Sequence, residues 1–150
     1  MRALIQRVNH ASVDVSGEII SSIGAGLLVF IGVSEGDSKK DAEYLAMKIS
    51  GLRIFSDDAG KMNLSIMDMG GELLVVSQFT LHASTKKGHR PSFIRAAQPE
   101  LANELYNHFV HFIRDFSQLK VLTGRFGAMM NVSLENAGPV TIFMDSQHPE

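Results

Sequence analysis

Leu27-Leu28-Val29-Phe30-Ile31 is an apolar run with no polar residue alternating through it. Such a run, bounded by glycines, reads as a buried central strand. Gly24-Ala25-Gly26 breaks the pattern before it, and Gly32 and Gly36 bracket its exit. Upstream, residues 2–8, 12–15 and 18–23 are strand candidates, with Ser16-Gly17 as a tight turn before the last of them. Downstream, residues 52–55 form a short strand candidate and residues 72–79 a strongly apolar one. Two more, 129–134 and 140–144, close the chain and are separated by Glu135-Asn136-Ala137-Gly138-Pro139.

Two segments follow a helical period instead. Ser38 with Asp41 resembles a capping box, and Ala42, Leu45, Ala46 and Ile49 form one apolar stripe that should end near Gly51. Pro99 suits the first turn of a second helix, where Leu101, Leu105, Phe109, Phe112 and Phe116 keep the spacing. Many short strands and two well-separated helices predict a single α+β domain over residues 1–150, with a largely antiparallel, barrel-like β-sheet and two main helices.

The composition supports a packed domain: 45% of the 150 residues are apolar and 20% charged, so disorder is disfavoured. With no cysteine, disulfide and thiolate chemistry are excluded. The first residues lack the long apolar core of a signal peptide. The most apolar stretch, residues 23–33, holds three glycines and is too short to cross a bilayer. No membrane association and a cytoplasmic location are therefore expected. The net charge of -2 does not announce a nucleic-acid binder, but its distribution is uneven. Residues 73–99 contain no acid, while Lys86, Lys87, Arg90 and Arg95 fall there beside His82 and His89. Such a patch is able to face a phosphate backbone, or simply to serve as a solvated loop.

The common catalytic signatures are missing: no His-Glu-x-x-His, no phosphate-binding loop with lysine, no Gly-x-Ser-x-Gly elbow. His108 and His111 lie among aromatic positions of the second helix and offer too few ligands for a closed metal site, so no metal is expected. Met129 and Met130 read as core or core-edge filler. Two places remain. At Ser77-Gln78-Phe79-Thr80-Leu81 an apolar strand ends in hydroxyls and an amide beside the basic loop, and a turning strand end presents free backbone N–H groups, the parts of an oxyanion hole. At Asn136-Ala137-Gly138-Pro139-Val140-Thr141, Gly-Pro is either an ordinary turn or a cis bond that directs backbone carbonyls.

Together these two segments closely resemble the paired signatures of the D-aminoacyl-tRNA deacylase family. Gln6-Arg7-Val8, residues 24–28, Arg53-Ile54-Phe55, Lys61-Met62-Asn63-Leu64, Lys87-Gly88-His89-Arg90-Pro91-Ser92-Phe93 and Thr123-Gly124-Arg125-Phe126-Gly127 stand in that family's order, so the likeness spans nearly the whole chain. Ala137 departs from the aspartate common there, and His82 and Ala83-Ser84 also depart. The resemblance implies a homodimer with cross-subunit active sites, in which Gly138 and Pro139 enter the pocket of the other subunit and exclude L-residues. Arg7 would brace that element. The Phe79 and Thr80 N–H groups, supported by Ser77 or Gln78, would hold the ester carbonyl and its oxyanion. Lys86, Lys87 and Arg90 would contact acceptor-stem phosphates. The partner is aminoacyl-tRNA, glycyl esters would also be cut, and no cofactor is required. Two alternatives stay open: a tRNA-binding module without turnover, and an editing deacylase with another substrate.

Overall fold

A computed structural model describes residues 1–149, and Glu150 lies outside the described residues. The chain runs through β1 (Arg2–Val15), β2 (Glu18–Ile23), β3 (Gly26–Gly32), α1 (Lys39–Gly51), β4 (Phe55–Ser56) and β5 (Met62–Leu64). It continues through α2 (Ile66–Met69), β6 (Glu72–Ser77), a 3-10 turn (Phe79–His82), α3 (Pro99–Ser117), β7 (Val121–Thr123) and β8 (Asn131–Asp145).

The large sheet has the order β2-β1-β3-β6-β7, with β8 on the other side of β1. β1 pairs antiparallel with β2, β3 and β8, whereas β3–β6 and β6–β7 are parallel. The parallel pairs follow from connectivity, because α1 and α3 are the crossovers that return the chain to the same end of the sheet. The first half of β1 pairs with β3 and its second half with β2, so the sheet curls. Ser21 Oγ on β2 donates to the Thr123 carbonyl of β7 at 2.6 Å, which brings the ends together into a nearly closed barrel. Among the described residues, no helix is long and apolar enough to cross a membrane.

The Leu27–Ile31 run is buried on both faces. Leu27, Val29 and Ile31 join α1 and α3 in the larger core. Leu28 instead joins Val8, Ala11, Val13, Ile23, Leu74 and Val76 inside the barrel. In α1 the expected stripe is buried, and the Asp41 carboxylate accepts from the Ser38 N–H and Oγ–H, each at 2.8 Å. α3 begins at Pro99 and buries Leu105, Tyr106, Phe109, Val110 and Ile113, while Phe116 at the end of the expected stripe is exposed.

Four boundaries differ from expectation. Residues 2–8 and 12–15 are one strand, because β8 pairs along nearly all of it and absorbs Asn9 in a register shift. Residues 52–55 contribute only Phe55 to a strand, since Leu52 is spent capping α1 through its N–H to the Ile49 carbonyl. Residues 72–79 leave the sheet after Ser77. The last two candidates are one strand, β8, which passes through Gly138-Pro139 without reversing. Asn136 makes that continuity possible: its Oδ1 accepts from the Val140 N–H at 2.8 Å and its Nδ2 donates to Thr141 Oγ1 at 2.8 Å, so the interrupted ladder is re-sealed by a side chain.

Candidate active site

β6 carries the polar segment to the open end of the sheet. Ser77 stands beside Ile31 in register, and the Gln78 N–H donates to the Ile31 carbonyl at 2.7 Å, the last tie to β3. The chain then winds into the 3-10 turn, where the Leu81 N–H reaches the Gln78 carbonyl at 3.3 Å. The N–H groups of Phe79 and Thr80, in its first positions, have no acceptor among the described residues. The Gln78 side-chain amide donates to Thr80 Oγ1. Phe79 is 56% exposed and meets Phe93 edge-on, with ring centres 5.1 Å apart.

The turn is held from behind. A Cβ on Gly32 would lie 2.8 Å from the Gln78 carbonyl oxygen and 3.0 Å from Leu81 Cβ, so the turn rests on bare backbone. Arg2 Nη1 donates to the Leu81 carbonyl at 2.8 Å, and Arg2 Nε pairs with Asp145 Oδ2 at 2.9 Å. In the sequence Gly32 reads only as a strand exit and Arg2 as a strand residue. The contacts that give them a further role span tens of residues of chain and leave no local signal.

Between this strand end and α3 lies a cavity of about 620 Å³, walled by Val76, Phe79, Ala102, Tyr106, Phe126 and Met130, with Ser77 and Gln78 at its edge. The Tyr106 hydroxyl donates to the Val75 carbonyl at 2.8 Å, and burial pushes its ionisation well above the usual phenol range. It is therefore a fixed wall and not an acid or base near neutrality. Ala102 and Tyr106 were not singled out as cavity residues because helical periodicity gives a side chain's face without telling core from cavity, and Phe126 lies in the turn after β7, where no period applies. Met129, expected as filler, also borders the cavity but is 89% exposed, because no layer covers that side.

Arg7, Gly138 and Pro139 lie elsewhere. Gln6 pairs with Thr141 and Val8 with Asn136, so residues 137–140 of β8 bulge out opposite Arg7 alone. The Gly138-Pro139 bond is cis, and Gly138 has φ +129°, a region that favours glycine. Arg7 lies against this bulge, donating from Nε to the Ala137 carbonyl at 2.9 Å and from Nη1 to the Ile54 carbonyl at 2.5 Å. None of the three lines the cavity of its own chain. Lys86, Lys87 and Arg90 are exposed on a loop pinned at its base by Ser84 and Ser92, whose N–H groups and carbonyls bond reciprocally at 2.8 and 2.9 Å. His108 and His111 do not pair on one ligand; His108 Nε2 meets Glu43 Oε1 at 2.9 Å.

These parts describe a class: an α+β domain with free backbone donors beside an apolar cavity and, among the described residues, no charged triad there. Residues 4–145 match the family model described as D-Tyr-tRNA(Tyr) deacylase, and the chain belongs to that family of hydrolases. A D-aminoacyl-tRNA deacylase of Thermosipho melanesiensis is 55% identical over 98% of both chains. One of Bacteroides thetaiotaomicron is 52% identical over the full length of both. Among solved structures, one described as c-Myc DNA Unwinding Element Binding Protein superposes with a TM-score of 0.91 at 44% identity, covering 97% of this chain and 98% of its own. Another, described as a probable eukaryotic D-amino acid tRNA deacylase, shares the fold with a TM-score of 0.81 at 19% identity, covering 95% of this chain and 97% of its own.

Proposed function

We propose that this chain hydrolyses the ester between a D-amino acid and the terminal adenosine of tRNA, acting in the cytoplasm as a homodimer. The observation that carries the reading is the pair of successive free N–H groups at Phe79, which lines an apolar cavity, and at Thr80, the next residue of the turn, in a chain of this family. The cavity takes the adenine ring, and the ester carbonyl points at the two N–H groups. Attack places negative charge on that oxygen, where fixed donors stabilise it more than they stabilise the ground state. Ser77 and Gln78 border the same edge and support the carbonyl. Thr80 Oγ1 already accepts from Gln78, and no base among the described residues is hydrogen-bonded to the hydroxyl, which favours water over Thr80 as nucleophile. No metal or organic cofactor has a step in this scheme.

Chirality is read by exclusion. Gly138 and Pro139 of a second copy complete the cavity and occupy the space that an L side chain would need. Glycyl esters lack the excluded group and are also cut. Two features support the cross-subunit arrangement: the bulge is off its own chain's cavity, and Arg7 stiffens it from behind. A wall of this kind needs rigidity more than affinity. Lys86, Lys87 and Arg90 hold acceptor-stem phosphates.

The test is release of amino acid from one tRNA charged with D-tyrosine or with L-tyrosine, without added metal, alongside sedimentation equilibrium. Rapid release of D-tyrosine alone from a dimer is expected. Loss of both, with tRNA still bound, would move the function to a nucleic-acid-binding module, a reading favoured by the DNA-element-binding description of the relative 44% identical to this chain. A monomer that discriminates would overturn the cross-subunit wall.

A further inference from the structure

His82 ends the 3-10 turn and is 4% exposed, yet its Nε2 has no hydrogen-bond partner among the described residues. A buried ring nitrogen without a partner is costly, so a histidine here sits at odds with the rest of a well-satisfied core. Its placement is specific. A Cβ on Gly32 would lie 3.1 Å from His82 Cδ2, so the imidazole rests on the same bare backbone as the Gln78 carbonyl. Any movement of the ring is therefore transmitted to the turn that begins with Phe79, on the cavity wall, and Thr80.

We propose that neutral His82 is the positioning residue that sets the aim of the Phe79 and Thr80 N–H groups, and that its protonation displaces the turn and lowers hydrolysis in acid. The proposal rests on the deacylase reading of the same turn. The charged groups facing the ring are Arg2 from β1, the Met1 α-amine and Asp37. Asp37, the one acid among them, already pairs with the Met1 amine at 2.5 Å and accepts from the Ser34 N–H at 2.7 Å. Asp145 is likewise held by Arg2. Neither of these carboxylates is left free to take an imidazolium.

Burial lowers the His82 pKa first, with Arg2 and the amine adding to it, and the Gly32 main chain and Asp37 only partly oppose them. The folded value thus lies below the ordinary 6.5, and the unfolded or displaced turn takes the proton first. The contribution of His82 to turn stability is present above about 6.5 and is lost as pH falls toward the folded value.

The experiment follows kcat and KM from pH 8 to pH 5 with D-tyrosyl-tRNA, for the unsubstituted protein, His82→Ala and His82→Leu, with 15N–1H spectra of the Phe79 and Thr80 amides over the same range. The unsubstituted protein should lose about tenfold in kcat per unit once below its midpoint, with KM nearly constant. His82→Ala should lower kcat throughout. His82→Leu, which refills the space without a titrating group, should recover part of kcat and lack the acid limb. The two amides should titrate below pH 6.5 in the unsubstituted protein and stay still in His82→Leu. An acid limb that persists in His82→Leu would overturn the proposal. So would amides that do not move with pH, and that measurement stands even if His82→Ala fails to fold. Titrating amides with no hydrolysis at any pH would sink the deacylase reading while supporting the coupling of ring to turn.

Discussion

Gly32 carries no functional group, yet the turn that bears the free N–H groups is seated on it, with the Gln78 carbonyl 2.8 Å from where a Cβ would be. Gly32→Ala should push the turn outward and cost about a hundredfold in kcat, the scale of a 1 Å misplacement at a site built on orientation. Far-UV circular dichroism should show an unchanged fold, and kinetics close to those of the parent would mean the backbone yields without moving the donors. Thr80→Ala is expected to keep appreciable hydrolysis, because its Oγ1 is engaged by Gln78 and bonds to no base among the described residues. Total loss in a folded, tRNA-binding Thr80→Ala protein would restore the covalent nucleophile. Gly138→Ala meets both a left-handed φ of +129° and Arg7 Nη2 at 2.6 Å, so the bulge must shift. On the proposed exclusion by Gly138 and Pro139, comparing D- with L-tyrosyl-tRNA should then show at least about tenfold less discrimination. Ser77 to Thr80 stood out because polar residues end an apolar strand, a local pattern. Gly32 and Arg2 did not, since each acquires its part only through a contact the chain must fold to make.

α3 holds the cavity's far wall and the larger core at once, with Phe109 fully buried and Ala102 and Tyr106 facing the site. Phe109→Ala should cost about 3–5 kcal/mol, through lost transfer energy and a residual void. Urea unfolding checks this, and a change under 1 kcal/mol would mean the core collapses around the gap. Both main helices were legible because a 3.6-residue period, a capping box and a proline in the first turn are all local signals. Most strands were located better than they were delimited, while β5 and β7 went unlocated because three residues show no alternation. β1 and β8 each looked like two pieces, since a polar pair at Asn9-His10 and a Gly-Pro step both resemble interruptions. Pairing between the two strands overrides those breaks, and such pairing joins residues more than a hundred positions apart. The short helix Ile66–Met69 escaped notice because a single turn shows no period.

The arrangement of the whole sheet was legible only as a class. Antiparallel hairpins and a barrel-like curl follow from short strands and tight turns, while the parallel β3–β6–β7 half depends on where α1 and α3 return the chain. The separation of Gly138-Pro139 from the cavity of its own chain is likewise a property of the folded molecule. Charge shows the same contrast. The chain carries a net -2, yet Lys86, Lys87 and Arg90 crowd one exposed loop reached from Phe79 within a few residues. If that loop holds backbone phosphates, its contribution to affinity comes from released counterions, so it weakens with salt and is indifferent to base sequence. Lys87→Ala combined with Arg90→Ala should therefore weaken tRNA binding at low salt and reduce the slope of log affinity against log salt by about 1.4–1.8, some 0.7–0.9 for each phosphate released. The same pair should leave hydrolysis of a short aminoacyl-adenosine ester unaffected, because neither residue lines the cavity. Binding measured across a salt series decides it: an unchanged slope would make the loop a solvated surface and move the phosphate contacts elsewhere on the protein.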